Sequence, residues 1–235
     1  MPKALVLLLC LLAVSSVALQ IAFAQDAERT VSFAEGAWIA EEWTPLRLPL
    51  HPEVQSFIQR PDCLGTDSFT EEQKKQALDN VLLMTDTGTD EGEFEVVFRI
   101  GPEKGTAPGV FLSPTYTGEE LETGIAVFVA DYTMAVWLVK TNPETRVTEY
   151  DHLVRLARWQ DPAAEHVLRC RYSNSREMVA LQVDDSDVVI LRLPDHEINS
   201  KVGIWGCHGT CDFYRMTIRS GGTLPWSGAP PEAQG

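Results

Sequence analysis

Eleven short stretches of β-branched and aromatic residues, separated by turn residues, predict an all-β domain built as an antiparallel sandwich or barrel. No helical segment of useful length lies between these stretches, which argues against a fold of alternating strands and helices. The chain has 235 residues, of which 44% are hydrophobic. This length and composition suit one domain with a well-buried core.

The predicted strands follow one another closely in the second two thirds of the chain. They cover residues 81–84, 94–100, 110–113, 125–129, 134–140, 150–157, 166–172, 179–183, 188–193, 201–205 and 212–219. Residues 30–33 and 37–40 indicate an initial strand or two. The Pro-rich stretch 45–61 indicates an irregular surface segment.

One short surface helix is expected before the first of the eleven strands. Ser68 and Glu71 have the spacing of a capping box. The following residues, 71–80, begin with acidic side chains and contain good helix formers, so the helix is predicted over this range.

The first 24 residues have the features of a signal peptide. Residues 1–3 form a short basic start, residues 4–19 are almost wholly apolar, and Ala22 and Ala24 offer small side chains to a signal peptidase. We expect cleavage after Ala24 and a secreted or periplasmic protein. A retained anchor is the alternative, although the apolar run is shorter than the ~20 residues that span a bilayer. The remaining chain divides into a folded domain, 25–220, and a Gly- and Pro-rich tail, 221–235, which is expected to be disordered.

The charge of the chain excludes two classes of partner. Asp and Glu number 34 against 19 Lys and Arg, which gives a net charge of -15 and a pI near 4.7. Such a chain is repelled by phosphate backbones and by anionic lipid headgroups. We therefore expect no nucleic-acid partner and, after removal of the signal peptide, no membrane partner.

Four cysteines remain beyond the expected signal peptide, and an even number in an exported protein predicts disulfides. We expect one bridge between Cys207 and Cys211 and another between Cys63 and Cys170. The alternative is a metal site formed by Cys207, His208, Cys211 and a fourth ligand from Cys63 or Cys170.

The first of these bridges depends on the predicted last hairpin. If residues 208–210 form a three-residue loop, Cys207 lies opposite Cys211 and Trp205 lies opposite Phe213. Directly opposed residues have a Cα separation near the ~5.5 Å that a disulfide favours. Aromatic pairs across a ladder stabilise a sheet, so we expect Trp205 and Phe213 to belong to the core.

The chain resembles a known family over residues 81–219. The stretch 202–213 reads Val-Gly-Ile-Trp-Gly and then continues into a Gly-containing turn, and 92–99 has the pattern of an early strand in that family. These features are similar to concanavalin A-like lectin and glucanase domains of the laminin-G type, nearest to 3-keto-disaccharide hydrolase domains. The resemblance implies a concanavalin A-like jelly-roll sandwich and a carbohydrate ligand.

The ligand-binding residues are predicted from alternation along the strands. In 94–100 the apolar residues share one face, which leaves Glu95 and Arg99 on the other. The resemblance implies that this second face binds the ligand, and Trp137 could join it. Sugars stack on aromatic rings while charged groups bracket their hydroxyls. The expected binding residues are Glu95, Arg99, Trp137 and Trp159. In the alternative, both tryptophans are core residues and Glu95 forms a cross-strand ion pair with Arg99.

Three functions are compatible with these residues. The leading one is a secreted lectin-like module that binds carbohydrate or a glycoconjugate. The second is a glycoside-cleaving enzyme of the glucanase or 3-keto-disaccharide hydrolase kind. Glu91, Glu93 and Glu95 alternate along one strand, and Glu95 would then be the catalytic carboxylate. The third is an extracellular protein-interaction domain whose acidic surface binds a basic partner.

A cofactor is not expected, with Ca²⁺ as the one alternative left open. Several oxygen ligands must converge to bind this ion. The candidates are Asp184, Asp185 and Asp187, which equally suit a solvated turn.

Overall fold

The computed structural model describes residues 27–48, 57–75, 80–103, 105–130, 133–156 and 164–220. The expected signal peptide, the expected tail and Trp159 lie outside these ranges. Within them, no helix has the length and apolar character needed to cross a membrane.

Two antiparallel sheets pack face to face as a sandwich. The strands are β1 (Ala27–Ser32), β2 (Thr44–Leu46), β3 (Ile58–Gln59), β4 (Leu64–Thr66), β5 (Asn80–Asp86), β6 (Glu91–Ile100), β7 (Gly109–Thr117), β8 (Glu120–Ala130), β9 (Thr133–Thr141), β10 (Thr148–Leu156), β11 (Glu165–Ser173), β12 (Met178–Val183), β13 (Val189–Arg192), β14 (Lys201–Cys207) and β15 (Cys211–Ser220). The first sheet has the order β13-β12-β11-β6-β15-β4-β3, with β1 also paired to β15. The second has the order β10-β9-β8-β7-β14-β5-β2. The predicted all-β fold is confirmed.

All eleven strands predicted from residue 81 onward are present as β5 to β15, and β1 is the first of the two expected initial strands. The second expected one, at 37–40, is wrong because this stretch forms bends that lead into a 3₁₀ helix at Ala40–Glu42. β2, β3 and β4 were not predicted. Each contains only two or three residues, which is too few for an alternating pattern.

The predicted helix is present as α1 (Glu71–Lys75), but it does not extend to Asn80, which begins β5. Its cap also differs from the prediction. The Gln73 backbone N–H donates to Thr70 Oγ1 at 3.2 Å, and the Thr70 N–H donates to Gln73 Oε1 at 2.8 Å. Thr70 and Gln73 therefore form the capping box that was assigned to Ser68.

The main core lies between the two sheets. As predicted, the apolar residues of β6 face inward and are buried: Phe94, Val96, Phe98 and Ile100. Inward-facing residues of the second sheet include Val110, Leu112, Val127, Val136 and Ile204. Because this core uses only one face of each sheet, the other two faces decide what the protein presents to its surroundings.

A second apolar cluster lies on the outer face of the second sheet. It contains Leu82 and Met84 of β5, Phe111 of β7 and Trp205 of β14. Trp205 and Phe213 are both fully buried, as predicted, but Phe213 belongs to the core between the sheets. The second sheet is thus apolar on both faces over much of its area.

The predicted pairing of the last two strands is wrong. β14 pairs with β5 and β7, whereas β15 pairs with β6, β4 and β1. Each strand has partners on both edges, so neither has an edge left for the other. The short connection crosses from one sheet to the other, and His208 within it takes a positive φ of 67°. Cys207 and Cys211 therefore do not face each other in a ladder.

The expected disulfides are not formed, and each of the four cysteines is a buried thiol. Cys63 precedes β4 and Cys170 lies in β11, and two strands separate β4 from β11. At ~4.8 Å per strand the gap is about 14 Å, beyond the reach of a disulfide. Burial raises the pKa of Cys63 to about 11 and that of Cys211 to about 12. The metal alternative is also wrong, because the described residues contain no cluster of three potential ligands.

Candidate functional site

A cavity of about 800 Å³ opens on the outer face of the second sheet. Its floor consists of small side chains, among them Ala107, Ala130 and Ala135. Ala135 lies between Met134 and Val136 in β9, which are both buried in the core. Because side chains alternate along a strand, Ala135 points outward. Because the side chains of the floor are small, they leave the cavity deep.

One wall of the cavity is aromatic. His152 of β10 lies opposite Trp137 of β9 in the sheet register. The ring centroids of these two residues are 4.7 Å apart, and Tyr150 stands edge-on to Trp137 at 6.5 Å. Trp137 is partly buried, while Tyr150 is 37% exposed. The indole is therefore held by two neighbours and still lines the cavity.

A β-bulge in β10 directs Arg155 to the same wall. The register with β9 shifts between His152 and Val154, and Leu153 and Val154 both pack against the core. Alternation then resumes one residue out of phase, so Arg155, opposite Ala135, returns to the outer face. Without the bulge, the arginine would point towards the apolar core.

A partly buried ring of the cavity lining, Phe128, packs on a fully buried one, Trp205. Phe128 of β8 and Trp205 of β14 have ring centroids 4.6 Å apart, with Gly109 between them in the ladder. A Cβ at Gly109 would stand 1.8 Å from the carbonyl oxygen of Val127. The Trp205 indole N–H donates to Asn80 Oδ1 at 3.0 Å. This packing fixes Phe128, which lines the cavity.

Basic groups line both sides of the cavity. His152 and Arg155 belong to β10, whereas Lys74 belongs to α1 and His208 directly follows β14 in the chain. β10 and β14 are four strand spacings apart, or about 19 Å. Lys74 Nζ is 3.1 Å from a carboxylate oxygen of Glu71. The described residues that line the cavity include neither Asp nor Glu.

Glu95 and Arg99, two of the predicted binding residues, lie on the outer face of the first sheet. Glu95 of β6 faces Arg169 of β11, with Oε2 and Nε 3.1 Å apart. The Arg99 guanidinium lies 5.8 Å from the ring centroid of Tyr214. The prediction that Glu95, Arg99 and Trp137 share one face is wrong, because β6 and β9 belong to different sheets. The alternative Glu95 to Arg99 ion pair is not formed either, since Arg169 takes that place.

The carboxylates that alternate along β6 are all engaged. Glu91 accepts hydrogen bonds from the hydroxyls of Ser173 at 2.6 Å and Ser175 at 2.7 Å, which hold its pKa below the usual 4.5. Glu93 Oε1 is 3.2 Å from the Arg219 guanidinium. Glu95, the third carboxylate, is paired with Arg169. These side chains therefore form a ladder of ion pairs and hydrogen bonds. This geometry gives no support to Glu95 as a catalytic carboxylate.

The acidic turn after β12 is hydrogen-bonded to the start of β11. Asp184 Oδ1 accepts a hydrogen bond from the Val167 backbone N–H at 2.8 Å, and Oδ2 is 2.8 Å from His166 Nδ1. Both oxygens are thus used at the start of β11. The candidate calcium ligands of the alternative, Asp184, Asp185 and Asp187, do not form a metal cluster within the described part of the chain.

Sequence reasoning identified Trp137 but missed its neighbours. Tyr150 and His152 alternate at the start of a strand that was correctly predicted, so their shared face could have been recognised. Arg155 could not have been assigned to that face, because the bulge reverses the alternation. Phe128 also lies in a predicted strand, but its position beside the cavity depends on the order of strands in the sheet.

Solved structures that share this fold include two carbohydrate-binding domains and a xylosidase. Carbohydrate-binding module CBM66 from Bacillus subtilis matches with a TM-score of 0.53 and 11% identity, over 76% of this chain and 96% of that one. The carbohydrate recognition domain of Emp47p matches with a TM-score of 0.51 and 12% identity, over 82% and 95%. A xylan β-1,4-xylosidase from Bacillus halodurans matches with a TM-score of 0.54 and 15% identity, over 81% of this chain but only 39% of the enzyme.

No protein-family model and no curated protein sequence matches the chain. At identities of 11% to 15% the structural likeness defines the fold alone. That fold is an antiparallel β-sandwich. None of these three structures is described as a 3-keto-disaccharide hydrolase, so that narrower resemblance stays a prediction.

Proposed function

We propose that the chain is an exported carbohydrate-binding module whose ligand occupies the cavity on the outer face of the second sheet. The observation that carries the proposal is the aromatic wall, where Trp137 stands between Tyr150 and His152 above an alanine floor. The C–H faces of sugar rings pack on such aromatic surfaces, and nearby polar groups bind their hydroxyls. Two of the structures that share the fold are named as carbohydrate-binding domains, which supports the proposal.

The dimensions of the cavity suit an oligosaccharide. A volume of about 800 Å³ falls within the roughly 300–1,000 Å³ of small-molecule sites. Ring contacts fix the orientation of Trp137 before any ligand arrives. A site that is ordered in advance loses less side-chain entropy on binding.

The test is an NMR titration of the full chain with a pooled panel of oligosaccharides, in which ligand line broadening reports binding. We expect broadening in the native protein and a loss of affinity of about tenfold or more in Trp137→Ala, since a truncated central aromatic removes the main stacking surface. Glu95→Gln is the matched control because Glu95 lies on the outer face of the other sheet. Binding that Trp137→Ala leaves unchanged contradicts the proposed site.

The same spectra test the enzyme alternative. Hydrolysis of a glycosidic bond by the common mechanism uses two carboxyl groups on either side of the bond, and the described lining of the cavity has none. We therefore expect broadening without new product signals. Product that appears in the native protein and disappears in Glu95→Gln would establish a glycoside-cleaving enzyme instead.

A further inference from the structure

The cavity is basic although the protein is acidic. The chain has a net charge of -15, yet the titratable residues among the described lining include Lys74, His152, Arg155 and His208 and no Asp or Glu. Charge of one sign gathered in a concave site attracts ligands of the opposite sign. A neutral sugar would not require this reversal.

Arg155 differs from the arginines on the opposite face of the sandwich. Arg169 is 3.1 Å from Glu95 and is thereby neutralised within its own sheet. Arg155 lies opposite Ala135 in the ladder, and it forms no salt bridge with any residue in the described ranges. A guanidinium that has no salt-bridge partner among the described residues can donate two parallel N–H···O hydrogen bonds to a planar anionic group. The bulge that turns Arg155 outward therefore supplies the cavity with an anion-binding group.

The spacing of Arg155 and Trp137 matches one sugar unit. In β9 the residues opposite Arg155 and His152 are Ala135 and Trp137, two positions apart, or about 7 Å along the strand. A sugar ring stacked on Trp137 thus brings an exocyclic acidic group towards Arg155. We propose that the module selects acidic oligosaccharides, whose sugars carry a carboxylate or a sulfate. This inference rests on the proposed carbohydrate-binding function.

The test is isothermal titration calorimetry of the full chain with matched pairs of oligosaccharides. One set pairs galacturonate, glucuronate and mannuronate trisaccharides with their carboxyl-reduced counterparts, and a second pairs sulfated trisaccharides with their desulfated counterparts. We expect an acidic member to bind roughly tenfold more tightly than its neutral counterpart, since one charged hydrogen-bonded contact has about this effect. The preference should shrink as salt is raised. The set with the greater preference identifies the acidic group as carboxylate or sulfate.

Two variants locate the preference in the structure. Arg155→Gln should abolish it by weakening the acidic members, so that acidic and neutral counterparts bind this variant with equal affinity. Arg215→Gln is the matched control, since it removes the same charge from an exposed position of β15 in the first sheet, and it should keep the preference. Equal binding of acidic and neutral members, with Trp137→Ala still harmful, overturns the inference and leaves the proposed function intact. An equal loss of preference in both arginine variants also overturns it. Absence of binding to every oligosaccharide overturns the proposed function and the inference together.

Discussion

The two outer faces of the sandwich carry their charges in different ways. On the first sheet, acidic and basic residues face each other across neighbouring strands, as Glu95 and Arg169 do. On the second sheet, aromatic and small residues occupy the centre, and Arg155 lies opposite Ala135. Glu95 and Arg169 neutralise each other within the first sheet, whereas Arg155 has no salt-bridge partner among the residues that the structure describes. The partner across the ladder, more than the residue type, distinguishes the two faces.

The largest expected effect concerns the buried part of the second face. Trp205→Ala should lower the free energy of unfolding by about 3–5 kcal/mol, because it removes a fully buried indole that packs on Phe111 and Phe128. Urea denaturation measures the change. Trp137→Ala is the control, and it should cost less than half as much since its ring lines the open cavity. Equal losses would mean that the second face has no separate buried and ligand-accessible parts.

A smaller effect should follow from adding a side chain at Gly109, which pairs with Phe128 on one side and Trp205 on the other. Gly109→Ala places a Cβ against the carbonyl oxygen of Val127, and overpacking of this kind costs about 1–3 kcal/mol. Gly92→Ala in the first sheet is the matched control, because its Cβ would first meet the Tyr172 hydroxyl, at 2.7 Å, which is the end of a side chain. Thermal or urea unfolding should show the smaller loss for the control. The reverse order would show that the second sheet adapts more readily than the first.

The charge ladder of the first face should contribute still less. A double-mutant cycle with Glu95→Gln and Arg169→Gln should give a coupling free energy below about 1 kcal/mol, as is usual for ion pairs open to solvent. These side chains are 19% and 36% exposed, respectively. The cycle is measured by urea unfolding at low and high salt, and the coupling should fall as salt rises. A coupling free energy above about 2 kcal/mol that does not change with salt concentration would show that the pair behaves as a buried ion pair.

The strands could be predicted because residues within each strand mark it. The assignment of strands to the two sheets could not be predicted. Alternation in β6 correctly separated the apolar face from the face of Glu95 and Arg99. The same reasoning placed Trp137 on the outward side of β9. Which sheet a strand joins depends on contacts between residues far apart in the chain, and no local pattern records it. Glu95 and Arg99 therefore lie on one sheet and Trp137 on the other.

The same limit explains the errors around the last two strands. A three-residue connection with aromatic residues on both sides has the spacing of a hairpin, and Cys207 and Cys211 fit that spacing. Both strands are instead enclosed by other neighbours, so the connection joins the two sheets. The bulge that directs Arg155 to the cavity could not be predicted either. Leu153 and Val154 are both apolar residues that are common in strands, so nothing in the local sequence marks the change of register.

The smallest expected effect is on the pH dependence of the unfolding free energy, and it arises from residues of the first sheet. Hydroxyl donors from Ser173 and Ser175 lower the pKa of Glu91 in the folded protein below its ordinary 4.5. A depressed folded pKa contributes stability above the unfolded value, and this contribution is lost as pH falls from 4.5 through the folded pKa. The double variant Ser173→Ala/Ser175→Ala should therefore reduce the slope of unfolding free energy against pH in that window.

The slope is the informative quantity in this experiment, because Ser173 is buried and its removal also changes stability at neutral pH. Urea unfolding at a series of pH values gives the slope directly. Asp86, whose pKa is lowered by Ser200 and the Gly88 backbone N–H, keeps its own contribution, so a residual slope should persist. Trp137→Ala on the second face should shift the curve by the same amount at every pH, since the described lining of its cavity contains no carboxylate. A change of slope in Trp137→Ala would show that the acidic groups of the two faces are coupled through the sandwich.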